Sequence, residues 1–265
     1  MHEKKKIRGK HRPQGLTILH DDRDVLVVDK AAGLLTIATD RERVETAYYR
    51  LTNYVRKGNP KSRERVFVVH RLDRDVSGIL VFAKSAQAKG ALQAQWGRVE
   101  KRYLALVHGL PPESAGTFRS YLVESGVHRV HSSADPRRGK LSHTAYRVLG
   151  HSQGISLLEI QLLTGRKHQI RVHLAEHGLP IVGDAKYGGK RRGARRLALH
   201  AKSIAFQHPH DGTPCFFETP IPPLFARLGT PDTTTRPRRA AGQAAQRTRT
   251  SFDVNTPRVI SARTK

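Results

Sequence analysis

Cysteine is nearly absent from this sequence of 265 residues, and long apolar runs are missing altogether. The one cysteine, Cys215, excludes an intramolecular disulfide framework and any zinc site that requires two or more cysteines. No window approaches about 18 consecutive apolar residues, and no apolar stretch follows the charged N-terminal segment, so neither a membrane span nor a secretory signal is predicted. We therefore expect a cytoplasmic protein.

Acidic residues are also scarce, because 22 Asp and Glu stand against 48 Lys and Arg and leave a net charge of +26. Residues 1–15 carry +5 and residues 229–265 carry +6, so +15 remains on residues 16–228. A field this positive predicts a polyanionic partner, and nucleic acid is the usual one. A membrane-surface role is set aside, because no basic amphipathic helix with a broad apolar face is evident.

The charge and composition divide the chain into three segments. Residues 1–15 form a basic N-terminal arm, and residues 16–228 form one folded domain with enough apolar residues for a core. Residues 229–265 contain repeated Thr, Ala and Gln with little apolar periodicity, and we expect them to be a disordered basic tail. Such a segment cannot bury enough apolar area to offset the entropy of ordering it.

Strand patterns outnumber helix patterns within the predicted domain and do not alternate with them regularly, which favours an α+β fold with one extended mixed sheet. Three segments are predicted as helices, at 44–57, 86–99 and 168–176. Eight apolar runs are typical of strands: LTILHDD, VLVVDKAAG, RVFVVHRL, GILVFAKS, YLALVHG, TAYRVLG, ISLLEIQLL and TPCFFE.

The stretch VVHRLDRDVSGILVFAKS, at 68–85, places one carboxylate between cations at the end of a strand. Neighbouring arginines keep such a carboxylate ionised at neutral pH, as a nucleophile or general base requires. Asp73 is therefore a candidate for either role. The sequence alone leaves open a structural alternative, in which Asp73 caps the turn and pairs with its neighbours.

A second stretch, at 157–189, carries an arginine after a Thr-Gly turn. Arg166 offers a planar set of donors for a buried carboxylate or a phosphate, although an exposed surface arginine fits the local sequence equally well. Within the same stretch, HLAEH at 173–177 matches an inverted zinc-peptidase pattern. A suitable downstream acid is missing, so we expect no metal site and interpret His173 as a packing residue or a phosphate contact.

A third stretch, KRRGARR at 190–196, has five cations among seven residues. It fits a phosphate-contacting loop or a solvated one.

Several ordered motifs together resemble the RluA family of RNA pseudouridine synthases. They are HRLD followed by SGILVFAKS, then KRYLALVHG, LLTGRKHQIRVHLAEHGLPIVGDAKYG and LALHA. With the upstream ILHDDRDVLVVDKAAGLLT and the downstream PCFFETPIP, the resemblance covers roughly residues 16–223. The resemblance implies that residues 16–228 form the catalytic domain, with a largely antiparallel sheet, flanking helices and an active-site cleft. It also implies isomerisation of uridine to pseudouridine in ribosomal or transfer RNA, without metal or organic cofactor. We expect a monomer with no obligate protein partner.

The resemblance also implies roles for individual residues. Asp73 is expected to attack the target uridine, Arg166 to pair with Asp73, and Tyr103 to stack on the base. Which residue removes the proton during the isomerisation is left open. Arg71 is expected to enter the RNA stack in place of the flipped nucleotide, which offsets part of the cost of flipping. The set expected to contact RNA comprises Arg71, Lys167, Arg171, Lys190, Arg191 and Arg192.

A non-catalytic RNA-binding or ribosome-assembly protein on the same fold remains the alternative. The charge and the tails fit it equally well, but a binder has no need of a nucleophilic carboxylate in a basic cleft.

Overall fold

A single mixed sheet organises the computed structural model, which describes residues 13–39, 42, 44–125, 129–188 and 196–225. Within these residues there are eleven strands and three helices. The strands are β1 Leu16–Asp21, β2 Val25–Lys30, β3 Phe67–Val68, β4 Ser77–Ala83, β5 Glu100–His108, β6 Ala115–Ser125, β7 Arg129–Ser133, β8 Lys140–Ser152, β9 Ile155–Leu162, β10 Leu199–Gln207 and β11 Pro214–Glu218. The helices are α1 Ala47–Val55, α2 Ala86–Gln95 and α3 Gln169–Glu176.

The strand order is β1-β2-β4-β10-β5-β9-β8-β6-β7, with β11 added to β10 and β3 added to β4. Among the described strands, β4 and β10 are the only parallel neighbours, and all other pairs are antiparallel. This arrangement confirms the predicted mixed, largely antiparallel sheet with flanking helices.

Strand β4 is buried along its whole length because both faces of the sheet are covered in this region. Leu80 and Phe82 of β4 belong to the core on one face, which α1 and α3 cover. Ile79 and Val81 belong to the core on the other face, which α2 covers. The alternation of side chains along a strand explains why one continuous apolar run supplies two cores.

The parallel contact between β4 and β10 depends on a glycine. Gly78 has φ +111°, and a Cβ atom at this position would lie 2.2 Å from the carbonyl oxygen of Ala201. Since Gly78 lies five residues after Asp73, the close approach also fixes where the chain re-enters the sheet behind the candidate nucleophile.

All three predicted helices are present but shorter than predicted, with bounds of 47–55, 86–95 and 169–176. Of RVFVVHRL, only Phe67–Val68 forms a strand, because the chain then leaves the sheet. Strands β6, β7 and β10 were not predicted. The basic arm, apart from residues 13–15, and the basic tail lie outside the described residues.

Candidate active site

A cleft of about 610 Å³ opens beside the segment that follows β3. Three parts of the chain supply most of its wall: the loop at 35–39, the segment at 68–76 and the turn and first residues of α3 at 165–171. Tyr103 of β5 contributes to the wall from within the sheet. Asp73 and the predicted cations Arg71, Arg166, Lys167 and Arg171 all line this one cleft.

Two side chains fix the path of the chain before Asp73. The ring Nε2 of His70 accepts a hydrogen bond from the Val81 backbone N–H at 3.0 Å, and so takes the place of a sheet partner where β3 has ended. The buried hydroxyl of Thr36 donates to the Leu72 carbonyl at 2.8 Å and accepts from the Leu72 N–H at 3.1 Å. The backbone is therefore held at two points directly before Asp73.

Asp73 is held by an arginine that two carboxylates share. Nη1 of Arg171 donates to Oδ2 of Asp73 at 2.8 Å, while Nε and Nη2 donate to the two carboxylate oxygens of Asp184 at 2.8 and 2.9 Å. The side chain of Asp184 is only 1% exposed, whereas that of Asp73 is 28% exposed. The buried carboxylate therefore orients the guanidinium, and the more exposed carboxylate faces the cleft.

The pKa values within this cluster follow from burial and pairing. Burial alone would raise the pKa of Asp184, but the hydrogen bonds and charge of Arg171, together with the backbone N–H groups of Lys186 and Tyr187, lower it. Burial alone would lower the pKa of Arg171, but Asp184 and Asp73 raise it. Arg171 and Asp184 are therefore both ionised, and it is the charged guanidinium of this pair that contacts Asp73.

The predicted pairing of Arg166 with Asp73 is wrong. Arg166 lies in the turn before α3, where its backbone N–H donates to Oε1 of Gln169 at 3.0 Å, and its side chain is exposed at the rim of the cleft. Arg171 lies five residues further along the chain, in the buried first part of α3, and forms the ion pair instead. Arg171 thus contacts the carboxylate, and its contact with RNA stays a prediction.

Tyr103 belongs to β5, the strand that lies between β9 and β10. Its side chain is 7% exposed and lines the cleft. Burial, reinforced by the negative charge of Asp73, raises the pKa of its phenol above the ordinary value. The side chain is consequently neutral and presents an aromatic surface to the cleft.

Two residues to which the sequence analysis gives no chemical role complete the surroundings of Asp73. His168 has a left-handed backbone, with φ 54°, and its Nε2 lies 3.7 Å from Oδ2 of Asp73. Its Nδ1 lies 2.8 Å from the hydroxyl of Tyr187, which accepts the Val130 N–H at 3.1 Å. The ring of His168 therefore lies between the Tyr187 hydroxyl and the Asp73 carboxylate.

A signal for Asp184 was present in the sequence. An arginine in the apolar pattern of a helix needs a buried counter-ion, and GDAKYG supplies an acid shortly after that helix.

The other predicted RNA-contacting cations, besides Arg171, fall into three groups. Arg71 is exposed at the cleft, and Lys167 forms an ion pair with Glu124 at its rim. Lys190, Arg191 and Arg192 lie outside the described residues.

The histidines of HLAEH are occupied by packing contacts. Nδ1 and Nε2 of the fully buried His173 each lie 2.9 Å from a hydroxyl, of Thr144 and Ser120 respectively. The ring of His177 lies 4.2 Å from that of Phe118. His173 is therefore a packing residue, which is the first of the two roles that the sequence suggested for it.

No helix in the part of the chain that the structure describes is long and apolar enough to cross a membrane.

Comparison with known proteins identifies relatives of the chain. The model of the RNA pseudouridylate synthase family matches residues 24–176. An uncharacterized RNA pseudouridine synthase of Mycobacterium bovis is 39% identical over 225 residues, which cover 79% of this chain and 70% of the relative. Ribosomal large subunit pseudouridine synthase D of Xanthomonas campestris is 36% identical over 230 residues, covering 80% of this chain and 68% of the relative. The solved structure of human RNA pseudouridylate synthase domain containing 1 matches with a TM-score of 0.66 and 29% identity, over 81% of this chain and 87% of that one.

Proposed function

Because the chain belongs to the RNA pseudouridylate synthase family, as the sequence motifs predicted, we propose that Asp73 is the nucleophile with which it converts uridines of ribosomal or transfer RNA to pseudouridine. The chain is an RNA pseudouridine synthase, and the family favours an enzyme over the non-catalytic binder. One observation supports the proposed nucleophile above all. Arg171, fixed by Asp184, contacts Asp73 and leaves that carboxylate partly exposed in the cleft.

In the proposed reaction, a carboxylate oxygen of Asp73 attacks the target uridine and the glycosidic bond to N1 of uracil breaks. The uracil turns within the cleft and its C5 bonds to C1′ of the sugar as the bond between C1′ and the Asp73 oxygen breaks. C5 then loses its proton and N1 gains one, so Asp73 is regenerated as a free carboxylate. The isomerisation is balanced in atoms and electrons. We therefore keep the prediction that no metal or organic cofactor is needed.

Arg171 has two functions in this scheme. Its guanidinium holds the Asp73 carboxylate in place through the hydrogen bond to Oδ2, and it leaves the other carboxylate oxygen for the substrate. The ring of His168 lies against the same carboxylate from a second direction, with Nε2 3.7 Å from Oδ2. Both residues position the nucleophile, because neither needs to touch the substrate for this purpose.

Access to the nucleophile requires that the uridine leave the RNA stack. Tyr103 provides an aromatic floor beside Asp73 for the flipped base, and Arg71 at the cleft opening takes the vacated place in the stack. Stacking on an aromatic side chain contributes about 1–3 kcal/mol per base, which is comparable to the few kcal/mol that flipping costs. Arg166 and Lys167 at the rim are proposed to contact the RNA backbone.

Large-subunit ribosomal RNA is the substrate that the names of several relatives support. Transfer RNA remains the other candidate. A cytoplasmic location and a monomeric state stay predictions from the sequence.

Mapping of pseudouridines in cellular RNA, with and without this chain, tests the proposed substrate. We expect pseudouridine to disappear from one or a few positions of large-subunit ribosomal RNA when the chain is absent, and to return when the chain is supplied. Loss confined to transfer RNA would reassign the substrate. Unchanged pseudouridine at every position of both RNA classes would contradict the proposed function.

A further inference from the structure

Lys101, on β5, is a buried cation that the proposed chemistry does not use. It is 6% exposed and lines the same cleft as Asp73. Side chains alternate along a strand, so Lys101 and Tyr103 lie on one face of β5, about 7 Å apart along the strand. Lys101 therefore borders the place proposed for the flipped base.

The surroundings of Lys101 do not neutralise its charge. Its Nζ donates to the carbonyl of Trp96 at 3.3 Å and lies 5.6 Å from the centre of the Trp96 ring. No carboxylate of the described residues forms an ion pair with it. The neighbouring ring of His70, 4.7 Å from that of Trp96, is neutral, because burial and the charge of Lys101 lower its pKa to about 3.

The other buried cations of the cleft region form several hydrogen bonds or ion pairs within the protein. Nζ of Lys30 donates to three backbone carbonyls, at 2.9, 2.8 and 3.1 Å. Arg171 has two carboxylates. A buried ammonium with one long hydrogen bond is costly to keep, so an anion that enters the cleft would gain most at Lys101.

We propose that Lys101, with Trp96 beside it, forms a subsite for a phosphate group of the RNA strand next to the flipped uridine. This inference rests on the proposed function, because it assigns one end of the cleft to the substrate backbone. The ammonium is a compact point charge that suits a phosphate oxygen, and the low-dielectric surroundings strengthen the pairing. The burial that lowers the pKa of free Lys101 is offset once the phosphate supplies a negative charge.

The salt dependence of RNA binding tests the subsite. Each phosphate neutralised on a single strand contributes about −0.7 to the slope of log K against log salt concentration. The probe is a short oligouridylate, whose binding requires no isomerisation. We expect Lys101→Met to weaken binding about tenfold at low salt and to make the slope shallower by about 0.7, while Lys101→Arg retains most of the slope.

Lys202→Met is the matched control. Lys202 is also a strand lysine, but it already pairs with Glu218 at 2.9 Å and does not line the cleft. This substitution removes the same charge and should leave the slope unchanged. Equal slopes for Lys101→Met and Lys202→Met would overturn the subsite and reduce Lys101 to a packing partner of Trp96.

A measurement on the wild-type chain does not depend on the folding of a variant. The pKa of the Lys101 ammonium, followed by its nitrogen resonance, should rise when the oligouridylate binds. An unchanged pKa at saturating oligouridylate would overturn the proposal. Failure in either binding experiment, in a chain that forms pseudouridine in cellular RNA, refutes the subsite alone, whereas absence of pseudouridine formation refutes the proposed function.

Discussion

Replacement of Asp184 by Asn tests whether a buried carboxylate outside the cleft controls the nucleophile. Asp184 accepts two hydrogen bonds from Arg171, at 2.8 and 2.9 Å, and two backbone N–H groups, at 2.9 and 3.0 Å. An asparagine keeps the shape but removes the charge, and one of its two terminal atoms becomes a donor. One of the bonds to Arg171 is then lost and the arginine charge is left partly unpaired.

The magnitude follows from the burial of the pair. Removing one partner of a buried ion pair costs about 3–5 kcal/mol, against a total stability of about 5–15 kcal/mol for an ordinary domain. The Asp184→Asn variant should therefore fold at moderate temperature but with a clearly lower urea midpoint. Since Arg171 then loses its fixed orientation beside Asp73, we expect kcat to fall roughly 10²-fold. Asp184 does not line the cleft, so KM for RNA should change little.

The assay measures pseudouridine formation at saturating and limiting RNA, under conditions where circular dichroism shows the variant to be folded. Asp135→Asn is the control, because Asp135 pairs at 3.3 Å with Arg137, whose side chain is 89% exposed. Such surface pairs contribute at most about 1 kcal/mol. Wild-type kcat in folded Asp184→Asn would refute the positioning role of the Arg171–Asp184 pair.

Three further predictions concern acid stability, strand packing and the tail. Burial lowers the pKa of His70, His173 and His200 to about 3, 4 and 4, so the unfolded chain binds more protons between about pH 4 and 6.5. The free energy of unfolding should fall as pH drops through that window, by about 1.4 kcal/mol per pH unit for each histidine, and equal urea midpoints at pH 7 and pH 5 would contradict this. Gly78→Ala should cost about 3 kcal/mol or more, because its Cβ would meet the Ala201 carbonyl, and an unchanged melting temperature would show that the strands can separate there. Deletion of residues 229–265 should weaken RNA binding and make the salt slope of binding shallower, while turnover at saturating RNA stays intact. An unchanged salt slope would show that the tail does not contribute to RNA binding.

Much of the central sheet could be predicted from the sequence because its strands have strong local patterns. β2 and β4 are nearly continuous apolar runs, as strands buried on both faces require. β6, by contrast, buries only Phe118 and Leu122 among eleven residues, so its alternation is too weak to recognise. The ends of β3 depend on where the chain leaves the sheet, which is a tertiary property.

In the candidate site, too, the sequence predicts residues that lie in local motifs but not contacts that depend on the tertiary fold. Asp73 and Tyr103 lie within recognisable motifs, and the structure brings them to one cleft. The choice between Arg166 and Arg171 depends on how the turn at 164–168 folds back onto Gln169 and which side of α3 faces the core. The ion pair joins residues 98 positions apart, so the local sequence does not show which of the two arginines reaches Asp73.

The most direct test of the proposed nucleophile is pseudouridine formation by Asp73→Asn, with Asp75→Asn as its control. Asp75 is an exposed carboxylate two residues away in the same loop. Both substitutions remove one negative charge at nearly the same place, so a general change in RNA binding would affect them alike. We predict no detectable pseudouridine with Asp73→Asn, even at high enzyme and RNA concentrations, and near wild-type formation with Asp75→Asn. Pseudouridine formation by the Asp73→Asn variant would contradict Asp73 as the nucleophile.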